Sequence, residues 1–159
     1  MRLFMALAAA ALVLAGCSSE AGTPEPVKKG CKLFDKQALA AALKTTEPIV
    51  ERDGTRPESP SCGITVGATP VVAAMVFTAA DSERFGYASW HRSSEKAGGV
   101  RDLPQAGGDK AFVAPTRPHE SMGGVLHDGT FYRISVFAQD ADPVTAATAF
   151  VTVLEAALA

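Results

Sequence analysis

The sequence predicts an α+β fold: one domain with an antiparallel sheet of about five or six strands and two or three helices packed on it. Three observations predict this. Short runs rich in β-branched and aromatic residues come in groups with single helical segments between them, in the order α-βββ-α-βββ-α. Asp128-Gly129 sits between two such runs and is the clearest hairpin signal in the chain. Asp142-Pro143 puts a cap residue and a first-turn proline ahead of a long apolar-periodic segment. This pattern favours helices gathered on one side of the sheet.

Each element has its own signal. Asp35 caps a helix through Lys44, with Leu39 and Leu43 one turn apart, and Pro48 closes it. Ile49 to Arg52 reads as a short strand. Asp53 to Pro60 contains Gly54, Pro57 and Pro60 and reads as a loop. Cys62 to Val66 is a strand and Gly67 to Pro70 a turn. Val71 to Phe77 is apolar throughout, which predicts a central strand covered on both faces. Asp81 caps a second helix to about Arg92, and Glu95 to Gly108 is irregular. Lys110 to Ala114 is a strand. The hairpin strands are Met122 to His127 and Thr130 to Gln139. The last helix reaches Leu158, with Val144, Ala147, Val151, Leu154 and Leu158 on one face and Phe150 beside it.

The N-terminus has a different character. Met1-Arg2 supplies a positive charge, Leu3 to Leu14 is unbroken apolar sequence, and Leu14-Ala15-Gly16-Cys17 precedes polar Ser18-Ser19-Glu20. A charged start, about a dozen apolar residues and small residues at a cut site describe a secretory signal, too short for a permanent spanning helix. The cysteine directly after the small pair resembles the lipobox of bacterial lipoproteins. That resemblance implies diacylglycerol on the Cys17 thiol, cleavage before it, and a chain held on the extracytoplasmic face of the cell membrane. Two or three acyl chains anchor firmly where one does not. The expected organisation is a signal peptide over 1–16, lipidated Cys17 and a Pro-rich polar tether over 17–30, and a globular domain over 31–159.

Fifteen Lys and Arg oppose 17 Asp and Glu, a formal net charge of −2, and the charges are scattered. With no basic stripe, nucleic acid is not an expected partner. Beyond the signal, no segment approaches the ~18 apolar residues that span a bilayer. Two cysteines remain, Cys31 and Cys62, and in an exported chain an even count predicts a bridge. The alternatives are two buried free thiols or half of a metal site. Zinc would need two more ligands, and the three histidines lie far apart in sequence, so neither a metal nor another cofactor is expected.

The lipobox, the tether, Cys31-Lys32-Leu33 ahead of the Asp35 helix, Cys62 opening a strand, and Leu103-Pro104-Gln105-Ala106-Gly107-Gly108-Asp109-Lys110-Ala111 together resemble the small lipoproteins of unknown function from high-GC Gram-positive bacteria. That resemblance implies an α+β sandwich related to the PsbP type, with a role in binding or assisting rather than catalysis. A second resemblance, in size and cysteine content, is to extracellular sensor domains of membrane kinases.

Catalytic motifs are absent: no Gly-x-Ser-x-Gly elbow, no His-Glu-x-x-His and no phosphate loop. His119-Glu120-Ser121 reads as a solvated loop, His127 as a strand end, and His91, beside Trp90, has no evident partner. No catalytic residue is assigned; a hydrolase using His119 or His127 is the enzyme alternative. Three side chains stand out as ligand or partner candidates. With Phe85, Ala88 and Ser89 sharing one helix face, Tyr87 and Trp90 point elsewhere, either under the 95–108 loop or outward as an aromatic patch. A two-residue turn at Asp128-Gly129 pairs Gly124 with Arg133, leaving room beside the guanidinium. Arg133 either meets an acid or a ligand anion on a covered face or is an ordinary solvent-facing charge. The expected function is a binding or accessory factor at the cell envelope, acting on envelope proteins. The alternative is a carrier or sensor for a small apolar or glycolipid ligand. Cys17→Ser should release the protein to the medium or leave it unprocessed; fractionation showing unchanged membrane retention would rule out the anchor.

Overall fold

The computed structural model describes residues 30–54, 60–68, 71–104 and 110–159. The expected signal peptide, Cys17, the expected tether before Gly30 and the loop expected around Pro57 lie outside the described residues. The chain opens with a 3-10 turn, Gly30–Leu33, followed by α1, Lys36–Leu43. Strands β1 (Ile49–Asp53), β2 (Ser61–Val66) and β3 (Val72–Ala80) precede α2 (Tyr87–Ala97). Then come β4 (Arg101–Leu103), β5 (Lys110–Arg117), β6 (Glu120–His127), β7 (Thr130–Ala138) and α3 (Pro143–Leu158). All seven strands join one antiparallel sheet in the order β1-β2-β3-β7-β6-β5-β4.

The predicted class stands, with one more strand than the upper expectation. The additional strand, β4, lies in the stretch expected to be irregular. It has little sequence signature because three residues suffice when Ala111–Val113 offers a ready edge. The hairpin forms with the expected register: Asp128 and Gly129 both adopt positive φ (45° and 69°), pairing Leu126 with Phe131 and Gly124 with Arg133. Asp35 caps α1 by accepting the Ala38 N–H at 2.7 Å, but the helix stops at left-handed Lys44, well before Pro48.

The second helix departs further from expectation. Its N-cap is Gly86 and not Asp81, which accepts the Tyr87 N–H at 2.7 Å from six residues away. Between them Ser82 accepts the Phe85 N–H in a separate turn, so Phe85 lies outside the helix and is 64% exposed.

Side chains alternate across the sheet and build two cores. On one face, Ile64, Val76, Val113, Val125, Tyr132 and Ile134 pack with Leu39 of α1 and with Phe150, Val151 and Leu154 of α3. Phe34 meets Phe150 edge to face at 6.0 Å. The α3 helix seats closely over β6 because Gly123 has no side chain; a Cβ there would come 2.6 Å from Val151. Asp142 starts α3 by accepting both the N–H and the hydroxyl of Thr145, and these bonds hold its carboxyl below the ordinary range. On the opposite face a smaller core joins Tyr87 of α2 to Phe112, Ala114, Met122 and Phe131. The helices therefore occupy both faces rather than one.

The expectation that β3 is covered on both faces fails. Val72, Ala74 and Val76 are buried, but Met75 on the other face is 40% exposed. The apolar run records a strand whose second face meets no helix.

Cys31 and Cys62 form the predicted disulfide, with Cα atoms 4.8 Å apart, and tie the 3-10 turn to β2. The Cys31 N–H also donates to Asp53 at 2.7 Å. A crosslink spanning 31 positions contributes about 3–4 kcal/mol by the chain-entropy argument. The pair Cys31→Ala with Cys62→Ala should lower the urea-unfolding free energy by about that much, and a loss below about 1 kcal/mol would show the N-terminal segment to be held by packing alone.

Candidate binding groove

The uncovered half of the second sheet face forms a concave groove of about 980 Å³. Its floor comes from alternate residues of neighbouring strands. Val50, Thr65, Ala73 and Phe137 share one cross-strand row, and Gly63, Met75, Ser135 and Met122 the next. Small side chains at Gly63, Ala73 and Ser135 give it depth. Val50, Met75 and Phe137 are 45%, 40% and 40% exposed, so large apolar groups line a surface open to solvent. The α2 helix packs mainly on β5 and β6, reaches β7 where Tyr87 meets Phe131, and forms the groove's wall through Trp90.

Arg133 lies in the row beyond Ser135, at the end of the groove that Trp90 borders. Its guanidinium carbon is 4.7 Å from the centroid of the Phe77 ring, its cross-strand neighbour, and 4.7 Å from that of Trp90. Its Nε is buried and has no hydrogen-bond partner among the described residues. None of the ion pairs among those residues involves Arg133. Burial lowers its pKa from the ordinary value, yet an arginine remains a cation at neutral pH. Of the two alternatives read from sequence, the ordinary solvent-facing charge does not hold: Arg133 is half-buried, and among the described residues no acid pairs with it. Nor does the space beside Gly124 belong to the guanidinium. The Phe112 ring fills it, 2.5 Å from where a Cβ would stand, with Phe131 at 3.1 Å.

Tyr87 and Trp90 also differ from expectation. Tyr87 is a core residue, meeting Phe112 and Phe131 edge to face at 5.3 and 6.2 Å. Burial, then the charge of Asp102, pushes its phenol up to about 12. Trp90 is half-buried over Arg133. The two aromatics thus face the sheet, because α2 begins at Tyr87 and its inward face is set from there.

The histidines lie apart. His91 has the partners that the sequence did not reveal: its Nε2 is 2.8 Å from Asp102 and its Nδ1 3.6 Å from Glu95. It borders a separate cavity of about 500 Å³ with Tyr87, Arg92 and Lys110, where the one hydroxyl is the Tyr87 phenol. His119 occupies a positive-φ turn, its ring 6.5 Å from Phe137. The row His119-Glu120-Ser121 is not a loop throughout. Glu120 and Ser121 open β6, and Ser121 is buried, donating its hydroxyl to the Pro143 carbonyl. His127 stands beside Asp128 at 3.6 Å. Among the described residues no group of three or more His, Cys, Asp or Glu is placed to hold a metal ion.

The chain matches no protein-family model, no curated protein and no solved structure. The class defined by fold and site is therefore a disulfide-stapled α+β domain with an open, apolar sheet groove ending in a cation between two aromatics.

An arginine held for stability would be paired with an acid; this one is partly desolvated with no such pair among the described residues. Methionine keeps the apolar stem and forfeits two cation–π contacts of roughly 0.5–1 kcal/mol each, offset by relief of desolvation. Arg133→Met should leave the unfolding free energy within about 1 kcal/mol of wild type. A loss above about 2 kcal/mol in denaturant titration would make Arg133 a structural residue.

Proposed function

We propose that the protein is a lipid-anchored extracytoplasmic carrier or sensor that holds a small apolar or amphipathic molecule in the groove between Val50, Met75, Phe137 and Trp90. The observation that carries this reading is the contiguous apolar concavity, whose volume lies in the range of small-molecule sites. An accessory module that docks on a protein partner would need a flat or raised aromatic patch, whereas the exposed Met75 and Phe137 line a hollow. A hydrolase needs a base, an orienting acid and a nucleophile converging in a cleft. His91 has its acids but lies away from the groove, and His119 and Ser121 are not brought together.

Anchoring rests on the Leu14–Cys17 motif, and among the described residues no helix is long and apolar enough to cross a membrane. Gly30 begins the domain next to Cys31, whose N–H bonds Asp53 at the groove's margin. The tether therefore joins the domain beside the row that contains Ser61, Phe77 and Arg133. A tether over residues 17–30 reaches at most about 45 Å, which would confine the domain to that distance from the membrane.

A neutral apolar dye tests the reading directly. The mature chain with Cys17→Ser should enhance Nile red fluorescence saturably, and Met75→Glu with Phe137→Glu, both at half-exposed positions, should weaken dye binding at least tenfold with little change in thermal unfolding. Absence of saturable binding, or equal binding by the double variant, would refute the groove as a ligand site.

A further inference from the structure

We infer that the groove selects amphiphiles with one anionic head, a carboxylate or a phosphate, set against Arg133 between Phe77 and Trp90, with the apolar tail lying along β7 towards Phe137. This rests on the groove being a ligand site and adds the class of ligand. Three observations carry it. First, the guanidinium at the end of the groove has two aromatic rings against it and, among the described residues, no paired carboxylate and no acceptor for its buried Nε. Rings accept no ordinary hydrogen bond, so the planar fork keeps its donors for an oxygen pair, the geometry that carboxylates and phosphates offer.

Second, neither acid that lines the groove pairs with Arg133: Asp53 stands at the β1 edge beside Arg52 and is engaged by the N-terminal turn. Glu120 pairs across to Phe137 at the far end. Arg52, at the β1 edge in the row next to that of Arg133, adds a second cation at the head end. Third, the surface between is apolar. From Arg133 to Phe137 is four residues of strand, about 13 Å, and Met75, Ala73 and Phe137 give a tail a dry bed of medium acyl-chain length. A neutral apolar ligand would leave Arg133 desolvated and unpaired; a free inorganic anion would leave the bed empty. An amphiphile satisfies both.

The test uses the mature chain with Cys17→Ser and four probes below their micelle concentrations: dodecanoate, dodecyl phosphate, dodecanol and inorganic phosphate. Calorimetry reports affinity, and the fluorescence of Trp90, the single tryptophan, reports occupancy beside Arg133. Both anionic amphiphiles should bind at least tenfold more tightly than dodecanol, and inorganic phosphate at least a hundredfold more weakly than dodecyl phosphate. Arg133→Met should bring the anionic amphiphiles down to the dodecanol level while dodecanol binding changes less than twofold, and Arg133→Lys should retain part of the preference. Dodecanol binding as well as dodecanoate, or a preference that survives Arg133→Met, would overturn the inference while leaving a groove that still takes Nile red. Inorganic phosphate binding as tightly as dodecyl phosphate would reduce the site to a free-anion site. Sedimentation showing a dimer that shields Trp90 would make a second copy the occupant instead. Failure of Nile red to bind would remove the groove reading itself.

Discussion

A seven-stranded sheet is about 29 Å across between its outer strands, and a helix with its side chains covers about 10 Å of that width. Three helices therefore cannot cover two faces. The partition is unequal: α1 and α3 lie together on one face, helped by the disulfide-bound N-terminal turn, and α2 alone takes the other. Because α2 packs on β5 and β6, the surfaces of β1, β2, β3 and β7 beyond it stay open. The groove is a consequence of this shortage of cover. Its apolar character follows from β3, whose Ala73, Met75 and Phe77 would suit a buried strand.

An open apolar face is a liability in a folded protein, since exposed apolar patches invite association. Several features here limit that tendency. The floor is recessed by small residues, its polar members Thr65 and Ser135 interrupt the apolar surface, and Arg52 and Glu120 charge its margins. A recess of this kind admits a narrow chain more readily than a second sheet. The cost of leaving Met75 and Phe137 half-exposed is about 25 cal/mol for each Å² of apolar area left in water, a cost that an apolar ligand would relieve.

Much of the fold was legible in the sequence because its signals are local. The Asp128-Gly129 turn fixes two strands and their register by backbone conformation alone. Asp35 and Asp142 cap their helices through the next three residues, and the two cysteines of the domain admit a single pairing. The misreadings concern what lies across space. Asp81 accepts the Tyr87 N–H across five intervening residues, so a local capping rule started α2 too early and turned Tyr87 and Trp90 to the wrong side. An all-apolar β3 is the same string whether or not a helix lies over its second face. Arg133 was visible as a question, but the rings that stack on it come from β3 and α2, about 55 and 43 positions earlier, and no spacing rule connects them. The partners of His91 were hidden in the same way, since Asp102 is placed by a three-residue strand with almost no pattern of its own.

Support for the groove's cationic end runs through the second core. Gly124 has no side chain, so the Phe112 ring can lie over β6, with Phe131 beside it. Those two rings form the platform on which Tyr87 rests. Tyr87 begins α2, and Trp90 follows three residues later on the same inward face, which places the indole over Arg133. A side chain at Gly124 would displace Phe112, and the displacement would pass through Tyr87 to the helix and so to Trp90. The glycine, three buried aromatics and one helix turn thus hold the tryptophan where it meets the arginine. That end of the groove is built on rigid elements, and the cation is oriented by the protein alone. A solvent-facing arginine would need none of this support.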